Sequence, residues 1–411
     1  MIYENSQSFA EQLDQIDPLR SYREKFHYPK NENGKDVIYL CGNSLGLQPK
    51  SVRSFVENEL FVWEKEGVMG QHGRWEKFHE RLTQSSAKLV GAKPSEVVVM
   101  NALTVNIHLL LISFYQPTEK RKKIMIEKGA FPSDQYAVES QIKLHGFDPN
   151  ECLIELGPRV GETTLRTEDI LQSITKTGDE LATIIIGGVN YYTGQAFDMQ
   201  AIAKAGQSVG AYVGFDLAHA AGNLLLELHE WNVDFAAWCT YKYLCAGPGA
   251  PSGVFIHVRH HDWSGSRLAG WWGQNKQTRF DMGPEFDPIQ TAEGWQISNA
   301  PVMGMAPLLA SMEIFEDVGM VEIREKGDKL TGFLEFLLKE NFPQVSIITP
   351  EDRGCQLSLV IPGGRSIFET ISEKGVVCDW REPDVIRVAP HPLFNTFSEV
   401  FRFVKILQKS L

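Results

Sequence analysis

The 411-residue sequence lacks several features that would have narrowed its class at once. Its six cysteines include no Cys-x-x-Cys pair, which argues against a zinc site and favours reduced thiols. Positive charge is scarce, because the formal net charge is −12, and nucleic acids and anionic membranes require basic surfaces. The longest apolar runs, such as residues 109–112, are too short to span a bilayer. We therefore expect no metal, nucleic acid or membrane among its partners.

The N-terminal residues also lack the marks of a secretory signal. Residues 1–6 are polar and acidic, without the basic and apolar regions that such a signal contains. Together with the cysteine pattern, this predicts a cytoplasmic protein. The sequence has no internal repeat and no low-complexity segment, and its length suits about two domains.

From about residue 90 onwards, short apolar runs alternate with helical patterns. The runs are 97–100, 124–126, 183–186, 212–215 and 253–256. They are continuously apolar, as expected for parallel strands that are covered on both faces. The sequence predicts an α/β protein with a large domain over 51–310, built on a mainly parallel sheet flanked by helices. A smaller α+β domain is predicted over 311–411, and the N-terminal segment 1–50 is expected to pack against it.

An aspartate and a lysine are the most informative residues. Asp216 follows the apolar run 212–215, at the strand end where open α/β sheets bind ligands. Lys242 comes shortly afterwards, between tyrosines and ahead of the small residues 246–250. An acid for a pyridine nitrogen and a lysine for a Schiff base are the minimal equipment of a pyridoxal 5′-phosphate (PLP) enzyme. Taken singly, each has a plainer explanation, as a helix cap and as a solvated loop side chain.

Two helix starts extend this candidate site. Residues 101–106 follow a strand and open a helix, so the N–H groups of Leu103 and Thr104 and the Thr104 hydroxyl suit a phosphate. A plain helix cap at Thr104 is the alternative. Phe131, after the next strand, is suited to lie against a planar ring, or else is a core aromatic beside a cap. No Gly-x-Gly-x-x-Gly motif is present, which favours PLP over a dinucleotide.

The order of these motifs resembles that of kynureninases, a family of fold type I PLP enzymes. The matching segments are 42–47, 101–106, 131–134, 191–195, 213–219, 241–243, 270–273, 297–299 and 387–390. The resemblance extends from about residue 10 to 405 and implies the fold type I architecture, with a seven-stranded type of sheet. It also implies hydrolysis of L-kynurenine, or of its 3-hydroxy form, to anthranilate, or 3-hydroxyanthranilate, and L-alanine. These reactions belong to tryptophan catabolism and NAD biosynthesis.

The resemblance assigns roles to individual residues. It implies that Lys242 forms the Schiff base with PLP and removes the substrate α-proton, and that Asp216 keeps the ring nitrogen protonated. We expect Tyr241 to relay a proton during carbon–carbon cleavage, with a pKa lowered by the phosphate and the cation. The other residues implied in cofactor binding are Leu103, Thr104, Phe131, Pro132, Ser133, Asp134, His219, Trp271 and Asn299. Those implied in substrate binding are Ser44, His72, Asn299 and Arg387, with Arg387 on the α-carboxylate. Trp271 and Asn299 would come from the neighbouring subunit of a homodimer.

Two positions depart from the family pattern. The family often carries a histidine after Trp63 that packs on the aryl group, but Gln71 aligns there and His72 follows it. Gly187 replaces a serine, so one hydroxyl contact to the cofactor is expected to be lost. Both changes bear on substrate preference more than on the type of reaction.

Several alternatives remain beside this reading. The nearest is another fold type I enzyme, such as a cysteine desulfurase or an aminotransferase. A desulfurase needs a nucleophilic cysteine on a mobile loop, and Cys355 is the only loop-like candidate, although the strand pattern beside it favours a structural role. A non-catalytic PLP-fold regulator would be supported by loss of Lys242 or Asp216, and both are present. An aldolase without PLP would need neither a ring-pairing acid nor a phosphate site.

Overall fold

The computed structural model describes residues 2–411. Its helices are α1 (Gln7–Ile16), α2 (Val52–Glu66), α3 (Thr83–Leu89), α4 (Leu103–Phe114), α5 (Pro132–Leu144), α6 (Pro149–Cys152), α7 (Thr167–Thr177), α8 (Met199–Ser208), α9 (Val302–Val318), α10 (Met320–Asn341), α11 (Gly364–Glu373) and α12 (Phe397–Gln408). Its strands are β1 (Ile38–Tyr39), β2 (Val97–Met100), β3 (Lys123–Glu127), β4 (Leu153–Leu156), β5 (Leu181–Gly187), β6 (Tyr212–Asp216), β7 (Phe235–Trp238), β8 (Ser252–Ile256), β9 (Ser346–Ile347), β10 (Leu357–Val360), β11 (Val376–Val377), β12 (Asp379–Arg381) and β13 (Val385–Val388). Within residues 2–411, none of the helices combines the length and apolarity that crossing a membrane requires.

A seven-stranded sheet forms the centre of the larger part of the molecule. Its strand order is β2-β8-β7-β6-β5-β3-β4. The strands from β7 to β4 run parallel, and β8 is antiparallel to both of its neighbours. β5 is buried along its length except at its final glycine, as expected for a strand with helices on both faces. The predicted α/β class and mainly parallel sheet are confirmed.

Two glycines allow aromatic side chains to pack closely within this sheet. A Cβ atom on Gly214 of β6 would lie 2.0 Å from the ring of Phe235, and one on Gly253 of β8 would lie 2.1 Å from the ring of Trp238. Both aromatic residues belong to β7, which lies between these strands, and both are buried. This packing holds β6 close to β7 near the carboxyl end of β6, where Asp216 lies.

A smaller C-terminal domain contains a four-stranded antiparallel sheet with the order β12-β13-β10-β9. Apolar runs at 345–347, 357–360 and 385–388 also indicate strands in the sequence, and they correspond to β9, β10 and β13. A hydrophobic core joins this sheet to α10 and α12 and includes Ala10 and Leu13 of α1. The limits of the domains at residues 50 and 310 stay a prediction.

The helical pattern after Pro49 predicts an apolar face at Val52, Phe55, Leu60 and Trp63 of α2, and only its first half is confirmed, since Val52 is buried and Phe55 packs against the core. Leu60 and Trp63 are 47% and 60% exposed, whereas Val62 and the carboxylate of Glu59 are buried. Glu59 is stabilised there because the Arg74 guanidinium donates two hydrogen bonds to it, at 2.6 and 3.0 Å, and the Trp75 indole donates a third, at 2.8 Å. Arg74 and Trp75 therefore allow a carboxylate, rather than an apolar side chain, to lie on the buried side of α2.

Candidate active site

A cavity of about 180 Å³ lies where the strands β3, β5 and β6 end and the helices α4 and α5 begin. Its lining residues are Ala102, Leu103, Thr104, Glu127, Phe131, Ser133, Asp134, Gly187, Val189, Tyr191, Asp216, Ala218, His219, Tyr241 and Lys242. Nine of the residues predicted to bind the cofactor are in this set: Leu103, Thr104, Phe131, Ser133, Asp134, Asp216, His219, Tyr241 and Lys242. The structure therefore brings together residues from five separate segments at the sheet edge that the sequence indicated. We call this space the cofactor cavity.

Lys242 lies beside an imidazole and two aromatic rings. Its Nζ is 3.1 Å from Nε2 of His219, 5.8 Å from the ring centroid of Phe131 and 5.9 Å from that of Tyr241. Burial holds the pKa of His219 well below its usual value, and the Lys242 and Arg387 charges act in the same direction. The imidazole is therefore neutral at neutral pH, and its Nε2 can accept a hydrogen bond from the Lys242 ammonium.

Three carboxyl groups form what we call the acidic floor of the cavity: Glu127, Asp134 and Asp216. Burial raises the pKa of Asp216, although the Lys242 charge and the 2.8 Å hydrogen bond from the Ala218 N–H oppose the shift. Burial and the neighbouring Asp216 raise the pKa of Asp134 well above its usual value. Burial also raises the pKa of Glu127 to about 7, against hydrogen bonds from Asn190 and the Gly187 backbone. Three acids thus face a single lysine.

The residues present fit PLP in two respects. The positive charge of a protonated pyridine nitrogen matches the carboxyl group of Asp216 on the acidic floor. At the other end, α4 begins after Ala102, which offers no side-chain cap, so the first N–H groups of the helix are directed towards the cavity that they line. Thr104 is the second residue of this helix rather than its cap, which removes the plainer explanation for it.

Arg387 and Ser44 lie together next to the cavity. Arg387 is 1% exposed, and its Nη1 donates a 2.6 Å hydrogen bond to the carbonyl of Tyr191, a residue of the cavity lining. Its Nη2 donates to the Ser44 hydroxyl at 3.2 Å and to the Asp379 carboxylate at 2.5 Å. The buried Arg387 Nε has no hydrogen-bond partner among the described residues. A guanidinium that has this free donor and borders the cavity suits a carboxylate ligand.

Six predicted site residues are absent from the cavity lining: Ser44 and Arg387, which lie next to it, and Trp271, Asn299, His72 and Pro132. Trp271 is 48% exposed, and its indole donates a 2.9 Å hydrogen bond to the Arg279 carbonyl. Asn299 and His72 are exposed as well, and Gln71 is exposed beside His72. Pro132 is the first residue of α5 and precedes two lining residues. The roles of all the predicted site residues, including those that line the cavity, stay predictions.

The expected lowering of the Tyr241 pKa is not found with the protein's own groups. Burial raises the pKa of Tyr241 to about 12, and the neighbouring Cys239 and Asp216 act in the same direction. Its hydroxyl therefore keeps its proton at neutral pH. Tyr241 is suited to donate a proton rather than to accept one.

The sequence reasoning missed Glu127 and Tyr191 as cavity residues. Glu127 ends the apolar run 124–126 as Asp216 ends the run 212–215, so the same signal was available for both. Gly187 also lines the cavity, at the position where the serine of the family pattern would place its hydroxyl group. A Cβ atom there would lie 3.0 Å from Oε1 of Glu127, so the glycine allows the close approach of this carboxyl group.

Comparisons with known proteins define first a class and then a family. Residues 38–364 match the family described as "Aminotransferase class-V". The fold is similar to that of a C-DES mutant solved with glycine covalently linked to its PLP cofactor, with a TM-score of 0.79 at 16% identity over 94% of this chain and 98% of that one. It is also similar to the cysteine desulfurase of Thermococcus onnurineus, with a TM-score of 0.76 at 17% identity over 97% of both chains. The protein is thus a fold type I PLP enzyme.

The family within this class follows from closer relatives. Residues 323–407 match the family described as "Kynureninase C-terminal domain". The chain is 54% identical to the kynureninase of Myxococcus xanthus over 99% of its own length and 98% of that protein. It is 46% identical to the kynureninase of Nematostella vectensis, over 98% of this chain and 93% of that one. The chain belongs to the kynureninase family.

The desulfurase alternative loses its nucleophile in the structure. Cys355 is 2% exposed, and burial raises the pKa of its thiol to about 12. A mobile, reactive thiolate needs the opposite environment. All six cysteines are free and buried, as the expectation of reduced thiols requires.

Proposed function

We propose that this protein hydrolyses L-kynurenine to anthranilate and L-alanine. One observation carries the proposal: in a member of the kynureninase family, Lys242 and Asp216 line one cavity, and Arg387 donates a hydrogen bond to the carbonyl of the lining residue Tyr191. The reaction places water across the bond between the β- and γ-carbons of the substrate. The γ-carbonyl leaves as the anthranilate carboxylate, and the β-carbon becomes the methyl group of alanine.

PLP, when bound, supplies the electron sink that stabilises negative charge next to the substrate amino group. Asp216 is the residue that holds the pyridine nitrogen in its protonated form, because its carboxylate lies on the acidic floor. The N-terminus of α4 would hold the phosphate, and Phe131 would lie against the ring. Lys242 would anchor the cofactor and then take the substrate α-proton at Nζ, with neutral His219 at 3.1 Å as its hydrogen-bond partner.

Substrate orientation falls to Arg387 and Ser44. The guanidinium of Arg387 binds the α-carboxylate, which fixes the amino-acid end of the substrate relative to Lys242. Tyr241 retains its proton at neutral pH, so it donates to the leaving β-carbon when the carbon–carbon bond breaks. Its position in the cavity lining beside Lys242 supports this role.

The aryl end of the substrate site is proposed to be shared between two subunits. Trp271 and Asn299 are exposed and lie outside the cavity of their own chain, as residues that serve a neighbouring subunit would. Leu60, Phe61 and Trp63 on α2 are also exposed, between 47% and 60%, which is typical of surfaces buried in an assembly. We infer a homodimer on this basis. An Asn299 amide that reaches the aryl ring would hydrogen-bond a 3-hydroxyl group, so 3-hydroxykynurenine is proposed as a second substrate.

Further proposals concern the cellular role. Free thiols and the hydrolysis of a tryptophan metabolite suit a cytoplasmic enzyme of tryptophan catabolism, with a product that NAD biosynthesis can use.

Incubation of the PLP-loaded protein with L-kynurenine tests the central proposal. We expect anthranilate and alanine in equal amounts, the first by fluorescence and the second by amino-acid analysis. Formation of a keto acid in place of alanine would assign an aminotransferase instead. Release of sulfide from L-cysteine without any anthranilate would revive the desulfurase alternative. The same assay with 3-hydroxykynurenine, for the wild type and Asn299→Ala, tests the second substrate, because loss of the amide should lower kcat/KM for the hydroxylated substrate selectively.

A further inference from the structure

Glu127 has a position that the proposed chemistry leaves without a role. It is the last residue of β3, and its carboxyl group is 4% exposed. The adjacent strand β5 ends at Gly187, which is paired in register with Asp216 of β6. Because Gly187 has no side chain, the Glu127 carboxyl group passes over it, with 3.0 Å between Oε1 and the place a Cβ would occupy. Glu127 thereby reaches from β3 towards the loop that follows β5.

The contact at the end of this reach is Asn190. Its Nδ2 donates a 2.8 Å hydrogen bond to Oε2 of Glu127. Its Oδ1 accepts three hydrogen bonds, from the N–H of Tyr192 at 3.0 Å, the N–H of Thr193 at 2.8 Å and the Thr193 hydroxyl at 3.0 Å. These three donors fix which amide atom is oxygen, so only the nitrogen can face Glu127. We call residues 190–193 the Asn190 loop.

The Asn190 loop holds the arginine that faces the substrate. The Tyr191 carbonyl accepts hydrogen bonds from Arg387 Nη1 at 2.6 Å and from Gln356 Nε2 at 3.1 Å. The Tyr192 carbonyl accepts a 2.6 Å hydrogen bond from the Ser358 hydroxyl. Gln356 precedes β10, Ser358 lies on it, and Arg387 lies on β13, the neighbouring strand of the C-terminal sheet. A continuous hydrogen-bonded path therefore leads from the acidic floor to Arg387.

We propose that Glu127 is a positioning residue for Arg387, acting through the Asn190 side chain and the Tyr191 carbonyl. The inference rests on the proposed function, because Arg387 is there the ligand of the substrate α-carboxylate. The path gives the segment 191–195, which the sequence singled out, a physical role: it joins the cofactor end of the site to the substrate end. Glu127 itself takes no part in forming or breaking a bond of the substrate.

Exchange of donor and acceptor between the two side chains tests this path. In Asn190→Asp, measured at a pH above the Glu127 pKa of about 7, the new carboxylate keeps the three hydrogen bonds from the loop but faces an ionised Glu127 without a donor. We expect KM for L-kynurenine to rise roughly 10- to 100-fold, with a much smaller change in kcat, because a displaced Arg387 weakens substrate binding. In the double variant Glu127→Gln/Asn190→Asp, the new amide donates to the new carboxylate. We expect KM to return to within about threefold of the wild type.

The control for the charge change is Asn150→Asp. Asn150 also donates through Nδ2 to a carboxylate, that of Asp148, at 2.9 Å, but this pair is exposed and lies on α6 and its cap. The KM of Asn150→Asp for L-kynurenine is expected to equal that of the wild type. In Asn190→Asp, PLP affinity, measured by fluorescence quenching, should change much less than KM, since a purely structural role would weaken cofactor binding and substrate binding together.

Two outcomes overturn the inference. The first is an unchanged KM in Asn190→Asp. The second is a double variant in which the change in KM, expressed as a free energy, equals the sum of the changes in Asn190→Asp and Glu127→Gln measured separately. If Asn190→Asp does not fold, Glu127→Ala removes the acceptor without adding charge, and it must then raise KM with little change in kcat. A wild type that releases no anthranilate contradicts the proposed function instead, so the two failures are told apart by the wild-type assay.

Discussion

Burial decides the protonation state of individual side chains in the cofactor cavity. The sequence shows which residues are present but not how deeply each is buried. Asp216 and Lys242 were predicted because a strand end and a tyrosine-flanked lysine are visible in the chain itself. Glu127 has the same position after an apolar run, but its importance depends on Gly187 and Asn190, which belong to the segment around the end of β5. The raised pKa of Tyr241 likewise depends on burial, which only the fold supplies.

The pH dependence of stability should reveal the buried Glu127. Its pKa is about 7 in the folded protein, against about 4.3 in an unfolded chain. The stabilisation from the protonated form is therefore complete below the unfolded pKa and lost as the pH rises to about 7. Between about pH 5 and pH 8, we expect the free energy of unfolding of the cofactor-free wild type to fall by about 3 kcal/mol relative to Glu127→Gln. Urea unfolding at both pH values measures this, and a difference that stays constant would contradict it.

Tyr241→Phe tests the proposed proton donor. We expect kcat to fall by roughly 100-fold or more, because general acid catalysis at the cleavage step is lost. Exchange of the substrate α-hydrogen with deuterium from solvent should continue, since Lys242 carries that proton. Tyr243→Phe is the matched control: the buried Tyr243 hydroxyl has no hydrogen-bond partner among residues 2–411, so its loss should leave kcat unchanged. Normal single-turnover cleavage in Tyr241→Phe would exclude the assignment.

At the scale of single elements, the strands most easily predicted were those with continuous apolar runs. β4 was missed because Glu155 interrupts its pattern and the strand lies at the edge of the sheet, where three of its four residues are not fully buried. β7 was missed although it is fully buried, because it is short and contains two alanines. Its aromatic residues pack against Gly214 and Gly253, a partnership between strands that a single apolar run does not reveal.

Gly214→Ala tests this packing. The added methyl group would lie 2.0 Å from the Phe235 ring, so β6 and β7 must separate or the ring must leave its place. We expect a loss of about 1–3 kcal/mol in stability. PLP affinity should fall as well, because Asp216 lies two residues further along β6. Gly283→Ala is the control, since a Cβ there meets no atom within 4 Å, and its thermal unfolding should match the wild type. Equal unfolding midpoints for the two variants would contradict the account.

At the scale of the whole molecule, the two-part architecture could be predicted from the order of the elements, whereas the proposed sharing of the site between subunits could not. The roles proposed for the exposed Trp271 and Asn299 require a second subunit, and no pattern within one chain specifies that surface. The resemblance to kynureninases supplied this expectation. The exposed side chains Leu60 and Trp63 of α2 fit the proposed dimer, because an apolar stripe covered by another subunit would look the same in sequence as one covered by the core.

Mixed dimers test the shared site. Lys242→Ala loses the lysine of its own cavity, and Trp271→Ala/Asn299→Ala loses the residues proposed to serve the partner's cavity. After the two variants are unfolded together and refolded, half of the dimers contain both chains, and one of the two sites in each is intact. We expect roughly a quarter of the wild-type activity to return. Light scattering of the wild type should give the mass of a dimer. A mixture no more active than its separate components would place Trp271 and Asn299 outside the shared site.

The central claim is that Lys242 holds PLP in a cavity that hydrolyses L-kynurenine. The most direct measurement is the absorbance spectrum of the purified wild type and of Lys242→Ala, followed by addition of L-kynurenine. The account predicts a band at about 420 nm in the wild type that borohydride abolishes, and release of anthranilate with alanine. It predicts neither the borohydride-sensitive band nor turnover in Lys242→Ala. A wild type that shows no such band after PLP is supplied, or a Lys242→Ala variant that turns over normally, would contradict it.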